Sequence, residues 1–425
     1  MRGAGLLTAL ALMLTAGSAA GQTPYQPLPL PTPGVGVCPD GLCGAEALDS
    51  VFAALLATEE NRRTRPVHIL QLGDSHTAGD GVSGALRARL QARFGRAGRG
   101  MVPAGVPFAG YAPLQVQVQA IDWQTPLAPL TPSGGPRTLG VGLAGVARAS
   151  QAEGAQLVLT ADPGAEPRVL GLCGEGGPQA GAVRVRDMEE AIIVSFASPE
   201  AGPICREAVF RAPVRSVTLT IEDGPVRLHD ISLWRGTPGV AVSNLGMVGA
   251  SLRDLAARDE AITATQLAYA RPQLIVLAFG TNEGFEDALD GQAYEALLRE
   301  QLARLQRLAP AASLLILGAP DALRRVEGGG CSADGLRMAP RSLAVVRDVQ
   351  RRVAAEMGVA FWDWQGRMGG ECSADRLAIM TEPLMRGDRV HFSSEGADWI
   401  GAMLTTDVMA AYDAWKARNG MRGGW

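Results

Sequence analysis

The chain has 425 residues, 47% of them apolar and 19% charged, enough to build a substantial core, which excludes both a disordered chain and an integral membrane bundle. Its formal net charge of −4 excludes a general nucleic-acid binder, which needs a basic surface to displace counterions from phosphates. Six cysteines acquire meaning only once the compartment is known.

The N-terminus supplies that context. Arg2 precedes an apolar run from Leu6 to Ala16 and the small residues Ser18, Ala19, Ala20 and Gly21, which is the layout of a cleaved secretory signal over residues 1–21. The run falls short of the ~20 apolar residues that span a bilayer, and no later segment qualifies as a membrane span. Because the first cysteine is Cys38, no lipid-anchor cysteine follows the signal. Residues 22–43 are rich in proline and read as an extended arm. In an oxidising compartment an even cysteine count favours pairing, and sequence proximity joins Cys38 to Cys43, Cys173 to Cys205 and Cys331 to Cys372, one of fifteen possible connectivities. There is no CxxC pair, and His68, His76, His229 and His391 do not cluster with the cysteines, so no zinc site is expected.

Along the chain, apolar residues at helical spacing predict a helix over Ala45 to Arg63, and the run Val67 to Leu72 predicts a buried strand stopped by Gly73. Helical spacing returns from Gly81 to Phe94. Residues 114–238 then carry short alternating runs (LQVQVQ, AQLVLT, AVRVR, AIIVSF, SVTLTI, VRLHDISLW) broken by Gly, Pro and Asp, the pattern of an antiparallel β-sandwich or jelly roll. Strand and helix alternate again afterwards. Strands at 240–245, 274–279, 313–318 and 359–364 are followed by helices over Leu252 to Ala270, Tyr294 to Leu308, Leu343 to Met357 and Glu395 to Trp415. The expectation is an α/β fold, a doubly wound five-stranded parallel sheet of flavodoxin-like type, made of residues 44–113 and 239–425 with a β-rich insert at 114–238.

Reactive groups in such a sheet gather at the carboxyl ends of the strands. Three segments fall there, Gly73-Asp74-Ser75-His76, Asn244 to Gly249 and Gly280-Thr281-Asn282-Glu283, and a fourth, Asp388-Arg389-Val390-His391, lies in the loop before the final helix. A serine on a sharp turn becomes a nucleophile when an imidazole takes its proton and a carboxylate fixes the tautomer of that imidazole. Ser75, His391 and Asp388 are the candidates. Asp74 is expected to stabilise the turn through backbone amides, His76 to serve as a packing or hydrogen-bonding residue, His68 to be buried in its strand, and His229 to lie in the insert.

In this order the four blocks resemble those of the SGNH (GDSL-type) hydrolases, and ILQLGDSHTAGD, GRAGRGMVPAG, WQGRMGG and DRVHFSSEG are similar to the exported Ape-type esterases that remove O-acetyl groups from peptidoglycan. The resemblance implies a Ser75, Asp388, His391 triad and an oxyanion hole made of the Ser75 amide, the Gly249 amide and the Asn282 side chain. Gly246 is the alternative in the second block; Gly249 is preferred because it lies just before a helix start at Ser251. It also implies a carbohydrate-module-like insert that holds the glycan, an O-acetylated glycan substrate, no metal or other cofactor, and a periplasmic or secreted, monomeric enzyme. The sequence departs from the family at Ala397-Asp398-Trp399, where a tyrosine often follows the glycine. Three rivals stand beside this reading: an SGNH esterase or acetyltransferase on another polysaccharide, a metallophosphoesterase using Asp74, His76 and Asp80, and a non-catalytic glycan-binding protein.

Overall fold

A computed structural model of the chain describes residues 38–123, 140–152 and 154–420. The expected signal segment and most of the proline-rich arm lie outside the described residues. From the N-terminal side, β1 (Leu42–Cys43) and α1 (Asp49–Glu59) lead to β2 (Val67–Gly73), the short α2 (Ser75–Ala78), α3 (Gly81–Phe94) and β3 (Arg96–Pro103). Nine strands follow: β4 (Val116–Ile121), β5 (Arg148–Ser150), β6 (Gln156–Ala161), β7 (Val169–Gly176), β8 (Ala182–Arg186), β9 (Ala191–Ser195), β10 (Gly202–Val209), β11 (Ser216–Asp223) and β12 (Val226–Trp234). The remainder alternates: β13 (Val240–Gly246), α4 (Leu252–Ala256), α5 (Glu260–Ala270), β14 (Leu274–Ala278), α6 (Thr281–Gly284), α7 (Gly291–Leu308) and β15 (Ser313–Leu317). A small hairpin of β16 (Arg324–Arg325) and β17 (Arg337–Met338) precedes α8 (Arg341–Met357), β18 (Ala360–Trp362), α9 (Trp364–Met368), α10 (Ser373–Ala378) and α11 (Ser394–Gly420).

The five expected parallel strands lie side by side in the order β13-β2-β14-β15-β18. Numbered along the chain this is 2-1-3-4-5, the flavodoxin-like doubly wound order. Both faces are covered, as such strands require. Val67 and Ile69 of β2 pack with Phe52, Leu86 and Tyr412 on one side, whereas Leu70 and Leu72 pack with Leu252, Leu302 and Val346 on the other. The expected helix over 252–270 is two helices, because Asp259 caps a new start by accepting the Ile262 amide at 3.0 Å.

The five-strand count needs correcting. β3 runs parallel to β13 as a sixth member and is also paired antiparallel to β12, which continues to β7 and β10. The parallel sheet and one sheet of the β-rich region are therefore continuous. The other sheet, β4-β6-β11-β8-β9, lies over this extension, and Val102, Leu172, Leu219, Ile231 and Phe196 share the core between them. Disulfides join Cys38 to Cys43, Cys173 to Cys205 and Cys331 to Cys372. The second links directly opposed residues of β7 and β10, and the third ties the segment between β16 and β17 to the start of α10. Three such bonds fit an extracytoplasmic protein. Among the described residues no helix is long and apolar enough to cross a membrane.

Candidate active site

Ser75 opens α2 at the carboxyl end of β2. Asp74 caps that helix, accepting the His76 amide at 2.9 Å, which leaves the Ser75 amide as a first-turn donor without an intrahelical acceptor. The turn is held from beneath: Gln71 donates to the Thr77 hydroxyl at 3.0 Å, and Asn244 donates to the Thr77 carbonyl and the Ser83 hydroxyl. Gly246 allows this approach, since a Cβ there would meet the Ala78 nitrogen at 2.2 Å.

The opposing loop carries Asp388 and His391. Arg389 sits in the left-handed region (φ 59°), and the Asp388 carboxylate accepts the Val390 and His391 amides at 2.9 and 3.0 Å. Arg389 is anchored to Asp375 at 2.9 Å, and Met385 pairs with Phe392 across the loop. This brings the His391 Nε2 atom to 2.9 Å from the Ser75 hydroxyl and its Nδ1 atom to 2.8 Å from the other Asp388 oxygen. Partial burial works against ionising Asp388, but the His391 and Val390 amides and the His391 ring hold its carboxyl below the usual range.

Asn282 and Gly249 lie on adjacent loops. The Asn282 side chain donates to the Ala250 carbonyl at 2.7 Å, which fixes the amide while leaving its second N–H for another acceptor. Gly249 occupies the turn from Met247 to Ala250 with φ +75°, and a Cβ there would meet nothing. The Gly246 amide, by contrast, is engaged by Asn244 Oδ1 at 3.1 Å. Ser251 does open α4, its N–H held by Asp254.

Other residues sort themselves by their partners. His68 is buried between the Ala270 carbonyl and the Ser243 hydroxyl, and burial pushes its pKa down to about 4. His229 meets Glu175 in the β-rich region at 2.8 Å. Asp80 is not arranged as a metal ligand with Asp74 and His76: its two oxygens are engaged by Arg87 at 2.7 Å and Arg99 at 3.0 Å. Among the described residues, the one cluster with metal-like spacing consists of Glu371 with the disulfide-bonded Cys331 and Cys372. Sequence reasoning did not single out Glu283, whose buried carboxyl caps the Leu252 amide at 2.7 Å and is pushed by burial up to about 7. It also passed over the cleft wall. Ser75 and His391 open onto a cleft of about 720 Å³ floored by Ala78, Gly81, Gly84 and Ala85 and edged by Phe108, Leu114 and Arg386. Ala397, against Gly81, keeps one side of it low.

The sequence model of the GDSL-like lipase/acylhydrolase family matches residues 227–399. That stretch contains Gly249, Asn282, Asp388 and His391 and begins beyond Ser75, which the β-rich region separates from the rest. The structure resembles that of a peptidoglycan O-acetylesterase, with 26% identity and a TM-score of 0.74 over 88% of this chain and 99% of that one. A family two carbohydrate esterase from Clostridium thermocellum, in complex with cellohexaose, also matches, at 10% identity and a TM-score of 0.29 over 64% of this chain and 95% of that one. No curated protein matches the sequence. The sequence blocks, the sheet order, the family-model match and the likeness to the peptidoglycan O-acetylesterase structure together support an SGNH (GDSL-type) esterase that resembles the Ape-type enzymes.

Proposed function

We propose that the protein is an exported serine esterase that removes O-acetyl groups from peptidoglycan, with Ser75, His391 and Asp388 as its triad. The carrying observation is the unbroken hydrogen-bond line Ser75–His391–Asp388 at the mouth of the cleft. His391 takes the Ser75 proton as its oxygen attacks the acetyl carbonyl, and Asp388 stabilises the imidazolium. The oxyanion meets the Ser75 and Gly249 amides and the Asn282 side chain, donors already in place. His391 then protonates the departing sugar hydroxyl, leaving an acetyl-enzyme; water, deprotonated by His391, releases acetate and restores Ser75.

The likeness to a peptidoglycan O-acetylesterase supports this substrate, as does the cleft rim. Arg337 and Arg389 use their guanidinium groups on the Gly387 carbonyl and neighbouring groups, whereas the exposed Arg386 side chain has no ion-pair partner among the described residues. A cation on the cleft rim suits a glycan bearing anionic peptides better than a neutral one. Residues 1–21 are proposed as a cleaved signal, 22–43 as an arm, 44–113 and 239–425 as the hydrolase unit and 114–238 as a glycan-holding insert, the whole acting as a periplasmic or secreted monomer without a cofactor.

Acetate release from O-acetylated peptidoglycan, measured beside O-acetylated xylan with Ser75→Ala as control, tests the reading. Release from peptidoglycan that vanishes with Ser75→Ala is expected. Release that survives the substitution refutes the triad, and a preference for xylan refutes the substrate. Acetyl transfer to an added sugar would favour an acetyltransferase.

A further inference from the structure

We propose that His76 is a positioning residue for the catalytic base: its imidazole ties the turn bearing Ser75 to the loop bearing His391 and so sets the reach of one to the other. The inference rests on the triad proposed above. Ser75 and His391 stand 316 residues apart on separate loops, and the His391 side chain is 37% exposed. Asp388 cannot supply the registration, because it lies three residues from His391 and moves with the same loop.

His76 bridges the two. Its Nε2 atom lies 2.8 Å from the Val390 carbonyl, the residue before His391, and because a carbonyl only accepts, that nitrogen carries a proton. Its Nδ1 atom faces Asp74 Oδ1 at 3.2 Å and the Thr281 hydroxyl at 3.5 Å. Asp74 Oδ1 also accepts the His76 amide, so both ends of this contact belong to α2. The ring lies 5.4 Å from the His391 ring at an interplanar angle of 29°, and Trp364 and Phe392 close in on its edges at 5.6 and 6.0 Å. With both nitrogens engaged, His76 is not a second base.

The same contacts govern its charge. Burial alone would push the imidazole down, yet Asp74, the Val390 carbonyl and Asp388 raise its pKa above the ordinary value. The charged and titratable groups around it are Asp74, Asp388 and His391, with Glu283 acting on Asp74 from α6.

The test compares Ser75→Ala, His76→Ala and His76→Gln in the full chain, with kcat and KM for an aryl acetate, and thermal unfolding as a check on folding. Gln carries an amide donor near the position of Nε2 but no charge. His76→Ala is expected to lose about 100-fold in kcat with KM changed little, the scale of a misplaced reacting group. His76→Gln should recover at least about tenfold of that loss, because its side-chain amide can donate where Nε2 does. A folded His76→Ala with wild-type kcat, or a His76→Gln no better than His76→Ala, overturns the inference. If His76→Ala does not fold, His76→Gln decides: reduced stability with an unchanged kcat overturns it. Activity in Ser75→Ala would instead overturn the triad.

Discussion

Substituting Asp80 by Asn tests the support beneath the nucleophile turn. Asp80 is 2% exposed and is the counter-charge to Arg87 and Arg99, whose side chains are 0% and 1% exposed. It caps α3 from the left-handed region at φ 51°, which Asn adopts as readily as Asp, so the substitution changes charge without straining the backbone. Asn retains a carbonyl oxygen for the Leu114 amide, now 2.8 Å from the carboxylate, but faces two buried guanidinium groups with an amide. Breaking a buried ion pair at one partner costs about 3–5 kcal/mol, which at roughly 2–4 °C per kcal/mol lowers the melting temperature by about 6–20 °C. Thermal unfolding at pH 7 followed by circular dichroism measures this. The gap has a definite pH dependence. Burial alone would raise the Asp80 pKa, but the two arginines and the Ser83 hydroxyl hold it far below the ordinary 3.8. Its stabilisation is therefore fully present above about pH 4 and is lost as the pH falls toward the folded value, so Asp80→Asn and wild type should converge in acid. A difference below about 1 kcal/mol at pH 7, or one that does not narrow in acid, refutes the reasoning.

Four further outcomes follow from the same contacts. Glu283 keeps its proton in the folded chain up to about pH 7 against an ordinary value of 4.5, so wild-type stability falls as the pH rises through that window; Glu283→Gln should melt like wild type at pH 4.5 and above it at pH 8, by up to about 3 kcal/mol, and equal melting at pH 8 would contradict this. Gly246→Ala drives a Cβ into the α2 backbone and should abolish esterase activity, whereas Gly249→Ala meets open space and costs only the left-handed strain, about 1 kcal/mol; the reverse ranking of activities would count against the assignment of these glycines. Cys331→Ser with Cys372→Ser opens a loop of sequence separation 41 and should cost up to about 4 kcal/mol, read by urea unfolding with and without reductant. Phe108→Ala should raise KM for O-acetylated peptidoglycan several-fold while leaving aryl acetate turnover near wild type, because stacking on the cleft wall serves only a sugar; equal losses on both substrates would place the effect in folding.

The parallel strands were legible because each is a short apolar run followed by an amphipathic helix, and periodicity reports both. β3 was not. Its segment RAGRGMVP puts a buried Arg99 and two glycines where a strand pattern would show apolar alternation. The glycines are there because β12 and β13 approach closely: a Cβ on Gly98 would meet the Leu233 carbonyl at 2.3 Å, and one on Gly100 the Ser243 hydroxyl at 2.3 Å. Arg99 is tolerated because Asp80 neutralises it across the fold, a relation no local window contains. β7 and β10 were hidden similarly, by Gly171, Gly174 and Gly176 in one and a polar, half-exposed face in the other. At the site, the proposed roles of Ser75, Asp388 and His391 could be read from residue type and order. The tie from His76 to Val390 is not, because it depends on a backbone carbonyl that any residue would offer.

The continuity of the large sheet bears on how the chain reaches its native state. β12 ends at Trp234 and β13 begins at Val240, so once β12 pairs with β3 the next strand is delivered to the other edge of β3 without a search. Parallel pairing is otherwise slow, since loop-closure entropy is lost before any contact forms. The sheet order predicts that the antiparallel region serves as a template to which β13, then β2, then β14 are added in turn. Pulse-labelling hydrogen exchange during refolding should therefore protect amides of residues 216–234 before those of 274–278 and 313–317, and simultaneous protection would rule out such an order. On this route the nucleophile turn, suspended between β2 and β13, is assembled late, and the chain holds no esterase activity until its sheet is nearly complete.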